Sequence, residues 1–340
     1  MFTYRKSGIG NNVSNENKIV PFRNRQSETQ EVDTTLADFY AAHADSRNTL
    51  RAYAGHWSRF IEWCEGKGLD SMPAKDDTIR AYIAELANEG KAVSTIDQAV
   101  AAIRHNHRDK LGDESDPVGG KTLKTRKGIR RSLGVAPKRR ARPILDQELV
   151  GMIDNCPDSV SGLRDRALLS VGWCAALRRS ELVSQTFDDI ELHPQGMKVI
   201  IRKSKTDQDG AGAEIPVQRS SAIGSRTCEA MEAWVQELKA SGITTGPLFR
   251  SIDRHGNVKT GALTGHAIKG IIVRAAGYAG IDSEGFSGHS LRAGLATSAA
   301  MRGVGERKIM ETTRHTNLRT VHGYIRQATI WETGALSMLF

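Results

Sequence analysis

The chain has 340 residues, enough for two domains of ordinary size that each bury their own core. Its net charge of +9 and isoelectric point of about 9.4 favour a polyanionic partner, with a basic enzyme for a small substrate as the alternative. No apolar run reaches membrane-spanning length, and residues 1–30 lack the apolar stretch of a signal peptide, which excludes a membrane-spanning protein and predicts a cytoplasmic one.

The cysteines show no metal or redox motif. Cys64, Cys156, Cys174 and Cys228 stand far apart without a Cys-x-x-Cys pair, and three of them lie in apolar or helix-like runs. Such thiols are typical of a reduced core in a cytosolic protein. We therefore expect neither a bound metal nor a cofactor.

The first part of the chain divides into a tail and a helical domain. Residues 1–30 are rich in Asn, Ser and Gln, which predicts a flexible tail. Across residues 31–134, apolar side chains recur at three- and four-residue intervals, as expected for a small helical domain. Its helices are predicted from Leu50 to Cys64, from Ile79 to Leu86 and from a cap at Ser94 to Gly112.

A basic stretch follows. Between Pro117 and Pro143 the chain has ten Lys or Arg residues and no acidic one. The first part, Lys121 to Leu133, predicts a basic helix, and residues 135–143 predict an extended linker. Such a run is often only a solvated tether, but between two domains of a basic protein it suits a strap along a phosphate backbone. The predicted phosphate contacts are Lys121, Arg139, Arg140 and Arg142.

Residues 144–329 predict a second domain, mostly helical with a small antiparallel sheet. Two β-rich runs, Lys198 to Lys203 and Ala213 to Val217, flank an Asp-Gln-Asp-Gly turn and predict a hairpin. Helices are predicted from Asp146 to Ile153, Leu163 to Val171, Arg179 to Gln185, Cys228 to Leu238 and Ala267 to Ala276. The fold class is therefore mainly α with two domains, a helical one and a mixed α/β one.

Two motifs near the C-terminus carry reactive side chains. Tyr324, in Gly-Tyr-Ile-Arg, is a phenol with an ordinary pKa of about 10, so it needs a base or a positive charge to become a nucleophile. His289 and Arg292, in Gly-His-Ser-Leu-Arg, stand three apart in a helix-like run and can move a proton and clamp a phosphate. A lone tyrosine or a lone His-x-x-Arg motif is usually an ordinary core or surface feature. Whether these residues are catalytic therefore depends on the motifs upstream.

Those upstream motifs add cations. Arg178, in Leu-Arg-Arg-Ser-Glu-Leu, has Glu181 three residues on, which can pair with the guanidinium and orient it. Lys205 follows the first β-rich run and is predicted near the hairpin tip. None of the motifs holds the clustered carboxylates that bind two metal ions in many nucleases, so positive side chains must stabilise a reacting phosphate.

The ordered motifs resemble the catalytic core of the tyrosine site-specific recombinases, the integrase family. They are Leu-Arg-Arg-Ser-Glu-Leu, Ser-Lys-Thr after a strand, Gly-His-Ser-Leu-Arg, Arg-His-Thr-Asn and Gly-Tyr-Ile-Arg. The ending, with Glu-Thr-Gly-Ala-Leu after Tyr324, resembles the Cre type of this family. That type carries tryptophan where this chain has His315, and both rings can donate a hydrogen bond.

The resemblance implies a site and a reaction. The implied site residues are Arg178, Lys205, His289, Arg292, His315 and Tyr324. Tyr324 is expected to attack the phosphate, His289 to accept its proton and Lys205 to protonate the leaving 5′-oxygen. The product is a 3′-phosphotyrosyl intermediate that a second strand can resolve without ATP or another cofactor.

The resemblance also implies partners. They are double-stranded DNA with inverted half-sites and further copies of this chain, which form a homotetramer on DNA. The third predicted helix is similar to the helix that enters the major groove in Cre-type proteins, which makes Ser94, Gln98 and Arg104 candidate DNA contacts, with Lys203 a further one beside the hairpin. Residues 330–340 are dense in large apolar side chains and either fold back or, as the resemblance implies, dock into the next protomer as an exchange segment.

Two other functions stay open on these residues. A type IB topoisomerase-like enzyme uses similar side chains but rejoins the cut strand to itself. A catalytically idle, architectural DNA-binding protein needs only the basic linker, although the complete set of reactive residues argues against it.

Overall fold

The computed structural model describes residues 46–136, 141–202 and 212–328. These residues form two compact units, divided in the sequence between Ala136 and Pro137. The predicted tail, residues 137–140 of the predicted linker and the predicted exchange segment at 330–340 lie outside the described residues. In the part of the chain that is described, no helix is long and apolar enough to cross a bilayer.

The described part of the N-terminal unit consists of α1 (Arg47–Glu65), α2 (Asp76–Asn88), α3 (Val93–Leu111) and α4 (Gly120–Leu133). Aromatic rings fill its core, where Phe60 of α1 packs against Tyr82 of α2 with ring centroids 5.1 Å apart. The predicted cap of α3 was wrong, because Ala92 is the N-cap and Ser94 lies exposed inside the first turn. The burial of Val93 explains the shift, since this side chain reaches the core from the first helical position.

Asp76, at the start of α2, holds the start of α4. Its carboxylate accepts hydrogen bonds from the backbone N–H groups of Gly119, Lys121 and Thr122 at 2.9, 3.1 and 3.2 Å. Burial alone raises the pKa of this carboxyl, but the hydrogen bonds outweigh it and hold the pKa of Asp76 below its usual value. The negative charge also suits the positive end of the α4 dipole.

The described part of the C-terminal unit is mostly helical with two small antiparallel sheets. Its helices are α5 (Asp146–Asp154), α6 (Val160–Cys174), α7 (Arg179–Ser184), α8 (Ala222–Ala240), α9 (Ala267–Tyr278), α10 (Ser290–Met301), α11 (Glu306–Thr313) and α12 (Leu318–Ala328). One sheet has the order β1 (Ile190–His193), β2 (Gly196–Ile201), β3 (Ala213–Gln218), and the other pairs β4 (Arg250–Ile252) with β5 (Val258–Ala262). The predicted fold class is confirmed.

The predicted hairpin is the β2–β3 pair, in which Val199 lies opposite Ile215. The sequence did not predict β1, β4 and β5, because these strands are short and lack a clear apolar alternation. Arg202 follows β2, and its Nε donates to Asp189 at 2.6 Å, which fixes the strand end that leads toward Lys205.

Helix α6 lies at the centre of the C-terminal unit. Leu168, Leu169 and Val171 are all fully buried, and the helix packs against α5, α8 and α10. The approach of α10 is close because residue 294 is glycine: a Cβ there would lie 1.9 Å from the carbonyl oxygen of Ile144. This packing places the end of α6 and the start of α10 side by side.

The cysteines are core thiols, as predicted. All four are free, and three are buried while Cys174 is half-buried. Burial raises the pKa of Cys156 and that of Cys174 to about 11, so both are protonated and unreactive at neutral pH.

Candidate active site

Two helix ends with left-handed residues frame the candidate site. Helix α6 ends in a Schellman motif in which the Leu177 N–H donates to Gly172 O at 3.0 Å and Ala176 reverses the chain with φ of 47°. Helix α11 ends in the same way at Arg314, with φ of 54°. Among the described residues, Ala176 and Arg314 are the only non-glycine positions with positive φ. Each costs about 1–2 kcal/mol relative to ordinary helical backbone, so contacts elsewhere must hold both turns.

Arg178 follows the first of these turns and is fixed by Glu181. The Glu181 carboxylate, only 2% exposed, accepts from Arg178 Nη1 at 2.6 Å and from the Arg178 backbone N–H at 2.8 Å. Burial alone raises the pKa of this carboxyl, but the hydrogen bonds and the charge of Arg314 outweigh it and keep the pKa of Glu181 below its usual value. The structure thus brings the predicted pair into contact, at the N-cap of α7.

Arg292 lies in the first turn of α10 and is completely buried. Its Nη1 donates to Ala176 O at 2.7 Å, while Nε and Nη2 have no hydrogen-bond partner among the described residues. Burial, followed by the charges of Arg178 and Arg314, lowers the pKa of Arg292 to about 9, which leaves it charged at neutral pH. A buried cation with unused donors is a site for an anion, and a phosphate oxygen fits this donor set.

His289 and Tyr324 form the reactive pair. The expectation that His289 shares a helical face with Arg292 needs adjustment, because His289 is the N-cap of α10. Its Nε2 lies 2.8 Å from Tyr324 Oη on α12. Although His289 is partly open to solvent, burial of its ring and then the charges of Arg292 and Arg178 lower its pKa. Burial raises the pKa of Tyr324, so the phenol is protonated and faces a neutral base.

The protonation of His315 follows from its neighbours. The Thr313 hydroxyl donates its single proton to Ile309 O at 2.6 Å, so in the 2.7 Å contact between Thr313 Oγ1 and His315 Nδ1 the ring N–H is the donor. Burial, then the charges of Arg292 and Arg178, lower the pKa of His315 to about 3. A neutral His315 therefore carries a lone pair on Nε2, and donation from that atom requires the imidazolium form.

Arg314 is a part of the site that the sequence analysis missed. Its two terminal nitrogens make four hydrogen bonds. Nη2 donates to Glu181 Oε2 at 2.8 Å and to Ala176 O at 3.0 Å. Nη1 donates to Ala175 O at 2.9 Å and to Thr312 O at 3.0 Å. Its own carbonyl accepts from Arg178 Nη2 at 3.2 Å. The only signal in the sequence was its place beside His315 in Arg-His-Thr-Asn, which does not indicate a partner more than a hundred residues away.

Of the predicted catalytic residues, the structure brings together Arg178, Glu181, His289, Arg292, His315 and Tyr324. Lys205 lies outside the described residues, as do the predicted DNA contacts Lys203, Arg139 and Arg140. Their placement stays a prediction.

The remaining predicted DNA contacts lie in both units. Two of them are exposed on α3: Ser94 and Gln98. Arg104 and Lys121 are each paired with a carboxylate, at 2.8 Å from Asp116 and 2.7 Å from Asp77. These ion pairs are partly or fully solvated, so they leave both cations accessible to a competing phosphate.

Arg142 is tied to the C-terminal unit rather than left open along a strap. Its guanidinium lies over the Phe286 ring at 4.5 Å, pairs with Glu148 and donates to Asp282 O at 2.5 Å. Its backbone N–H donates to Gly285 O at 3.0 Å. The Arg142 side chain is still partly exposed, so it can reach a phosphate. Its contact with DNA stays a prediction.

Comparison with known proteins identifies the family of the chain. The phage integrase family matches residues 143–329, and the N-terminal SAM-like domain of phage integrases matches residues 36–116. The chain belongs to the phage integrase family. It is therefore a tyrosine recombinase, an enzyme that cleaves and rejoins DNA, and the topoisomerase-like and architectural alternatives are set aside.

Individual relatives of this integrase family member cover nearly the whole chain. An integrase/recombinase xerD homolog from Selenomonas ruminantium is 36% identical over 296 residues, 86% of this chain and 85% of that protein. The recombinase cre of Escherichia phage P1 is 27% identical over 331 residues, 92% of this chain and 93% of that protein. The family is thus supported along both units.

Solved structures with the same fold include other integrases. The Tn1549 transposon integrase in complex with transposon right end DNA is similar with a TM-score of 0.59, at 13% identity, over 89% of this chain and 95% of that chain. A lambda integrase dimer bound to a COC′ core site gives a TM-score of 0.57, at 15% identity, over 85% and 92% of the two chains. At these identities the likeness shows the fold alone.

Proposed function

We propose that this recombinase exchanges strands between two DNA sites through a 3′-phosphotyrosyl intermediate on Tyr324. Tyr324 Oη attacks phosphorus while His289 Nε2 accepts the phenolic proton, and the bond from phosphorus to the 5′-oxygen breaks. The observation that carries the proposal is the 2.8 Å contact between these two atoms, close to a buried arginine with unused donors. The lowered pKa of His289 supports its role as a base, because a neutral ring can accept the proton.

The phosphate is proposed to bind between Arg178 and Arg292. Arg292 offers Nε and Nη2, which have no partner among the described residues, and Glu181 holds the Arg178 guanidinium in place. Both cations stabilise the negative charge that the non-bridging oxygens carry in the transition state. Because the donors are already in place before DNA binds, little reorganisation is needed during the reaction.

We assign His315 a conditional role at the same phosphate. The neutral ring carries its proton on Nδ1, which donates a hydrogen bond to Thr313 Oγ1. Its Nε2 therefore presents a lone pair. In the transition state the bound phosphate carries additional negative charge. This charge favours the imidazolium form of His315. His315 is proposed to donate from Nε2 in that state.

The leaving group and the return reaction complete the cycle. Lys205 is proposed to protonate the 5′-oxygen as its bond to phosphorus breaks, which releases a 5′-hydroxyl. The 5′-hydroxyl of a second strand then attacks the phosphotyrosyl phosphorus and gives its proton to the neutral amine of Lys205, while the bond from phosphorus to the Tyr324 oxygen breaks and that oxygen recovers its proton from His289. One phosphodiester replaces another, so the exchange needs no ATP.

The assembly is proposed to be a homotetramer on two DNA sites, each with inverted half-sites. One copy of the chain binds each half-site, and the apolar segment 330–340 docks into the next copy. Such a head-to-tail contact closes a ring when it is repeated. We further propose that the enzyme acts in the cytoplasm, where its four free cysteines stay reduced.

DNA binding is proposed to involve both units and the basic segment between them. In the N-terminal unit the exposed side of α3, with Ser94, Gln98 and Arg104, is assigned to the major groove. Lys121, Arg139, Arg140, Arg142 and Lys203 are assigned to the phosphate backbone. Each phosphate contact makes the affinity more sensitive to salt.

The decisive experiment is trapping of the covalent intermediate. A target site is first recovered by selecting bound fragments from source DNA and footprinting them, and a nicked version of that site then prevents religation. In EDTA, the unmodified chain should form an SDS-resistant protein–DNA adduct, whereas Tyr324→Phe should bind the DNA and form none.

A matched control separates the nucleophile from tyrosines in general. Tyr278, at the end of α9, is 48% exposed and belongs to none of the site motifs, so Tyr278→Phe should form the adduct at the normal rate. Adduct formation by Tyr324→Phe would refute the assignment of the nucleophile. A requirement for magnesium would refute the metal-independent mechanism.

A further inference from the structure

Arg314 connects two parts of the site that come from distant parts of the chain. It closes the turn after α11, which leads directly into His315 and then through α12 to Tyr324. Its guanidinium reaches the turn after α6 and the start of α7, where Arg178 lies. The segment with the nucleophile and the segment with the phosphate-binding arginine are therefore joined through one side chain.

The acceptors of Arg314 are shared with both predicted phosphate ligands. Ala176 O accepts from Arg314 Nη2 at 3.0 Å and from Arg292 Nη1 at 2.7 Å. Glu181 accepts from Arg314 Nη2 at 2.8 Å and from Arg178 Nη1 at 2.6 Å. A displacement of Arg314 would thus change the surroundings of both ligands at once.

The terminal nitrogens of Arg314 distinguish it from a third phosphate ligand, although its Nε, like that of Arg292, has no hydrogen-bond partner among the described residues. Its two terminal nitrogens make four hydrogen bonds to protein acceptors, and its side chain is only 10% exposed. Arg292, by contrast, has Nε and Nη2 without partners among the described residues. The terminal donors that remain available for an oxyanion belong to Arg292, while those of Arg314 are used within the protein.

The position also carries costs that a glycine would avoid. Arg314 adopts φ of 54°, which glycine reaches without strain, and it buries a third cation near Arg178 and Arg292. A compensating gain is needed, and the contacts with Glu181 and the α6 end provide it.

We propose that Arg314 is a positioning residue, which docks the His315–Tyr324 segment onto the turn after α6, the turn that presents Arg178 and accepts a hydrogen bond from Arg292. This inference rests on the proposed function. It predicts that Arg314 controls the rate of DNA cleavage and contributes little to DNA affinity.

The test compares Arg314→Gly and Arg314→Lys with the unmodified chain on the nicked target site. Glycine removes the guanidinium and the backbone strain together, so the turn should still form. Single-turnover cleavage by Arg314→Gly should be slower by on the order of 10²-fold, the scale of effect expected from a misplacement of about 1 Å. Its dissociation constant for the half-site should change little, since the terminal donors of Arg314 are used within the protein. Arg314→Lys keeps the charge but cannot reproduce the fork, and should also be slow.

Chemical rescue distinguishes positioning from a general loss of stability. Guanidinium ions added at low concentration can occupy the space beside Glu181 and should partly restore cleavage by Arg314→Gly. Equal concentrations of sodium ions should not. Arg307→Ala, on an arginine whose side chain is 95% exposed in α11, is the matched control and should cleave normally.

The outcomes separate this inference from the proposed function. If the unmodified chain forms no adduct, the proposed function fails and the inference fails with it. If the unmodified chain forms the adduct and folded Arg314→Gly cleaves at the same rate, only the inference is overturned. If Arg314→Gly does not fold, Arg314→Lys decides, and a normal cleavage rate of that variant overturns the inference.

Discussion

The Nε2 atom of His289 lies 2.8 Å from the phenolic oxygen of Tyr324, although 35 positions separate the two residues in the chain. Helices α10 and α12 bring them together by packing against each other. The contact is already of hydrogen-bond length without DNA, so the proposed base does not have to be recruited by the substrate.

The pairing predicts how cleavage depends on pH. The pKa of His289 is lowered below its ordinary value of about 6.5, so the ring stays neutral at pH 6.5 and loses its capacity as a base only at lower pH. Cleavage measured well below saturating protein concentration, which reports the ionisations of the free enzyme, should therefore decline toward acid pH with a midpoint below about pH 6.5. A decline with a midpoint above pH 7 would contradict this assignment.

His289→Ala should remove this dependence along with most of the activity. General base catalysis contributes roughly 10²–10⁴-fold, so the variant should cleave more slowly by that factor while it still binds DNA. A normal rate in the variant would show that another group accepts the proton of Tyr324.

The role of Lys205 as a general acid can be tested by changing the leaving group. If it protonates the leaving 5′-oxygen, Lys205→Ala should be slow on ordinary DNA by roughly 10²–10⁴-fold. Replacement of the bridging 5′-oxygen by sulfur should restore its rate, because a thiolate leaves without a proton. Equal impairment on both substrates would assign Lys205 to DNA binding instead.

We predict that a single added methyl group at Gly294 destabilises the folded protein. A Cβ at residue 294 would lie 1.9 Å from Ile144 O and 2.7 Å from Trp173 Nε1, so Gly294→Ala forces α10 away from its neighbours. The loss of unfolding free energy should be about 3 kcal/mol, as for severe overpacking.

Gly270→Ala is the matched control in the neighbouring helix α9. A Cβ there meets no other described residue within 4 Å, so this substitution should be neutral or stabilise the helix by about 1 kcal/mol. Urea unfolding of the full chain, followed by circular dichroism, compares the two. Equal midpoints for both variants would contradict the close approach of α10.

Truncation after Thr329 tests the predicted exchange segment. The shortened chain should bind one half-site with near-normal affinity but fail to build the four-protomer complex, because the docking segment is missing. Light scattering on full sites measures the assembly, and removal of residues 1–30 is the control that should leave it intact. Tetramers of normal stability would refute tail exchange, and a loss of half-site binding would favour a tail that folds back.

The sequence by itself determined most of the helices and indicated the chemistry. The apolar intervals from Leu50 to Cys64 place α1 because helix periodicity is a local property of the chain. The reactive side chains of Tyr324, His289 and Arg292 were identified from short motifs, since each motif is contiguous. The start of α3 was placed wrongly because a serine was given more weight than the burial of Val93, which depends on the packed core.

Only the tertiary structure decided how the site is held together. The unused donors of Arg292, the proton on His315 Nδ1 and the connection from Arg314 to Glu181 all depend on contacts between distant segments. No periodicity or spacing encodes them, because hydrogen-bond partners are allocated only when the helix ends meet in three dimensions. For the same reason Arg314, an unremarked residue beside His315 in the sequence, lies in the structure at the junction between the segment of the proposed nucleophile and the proposed phosphate ligand Arg178.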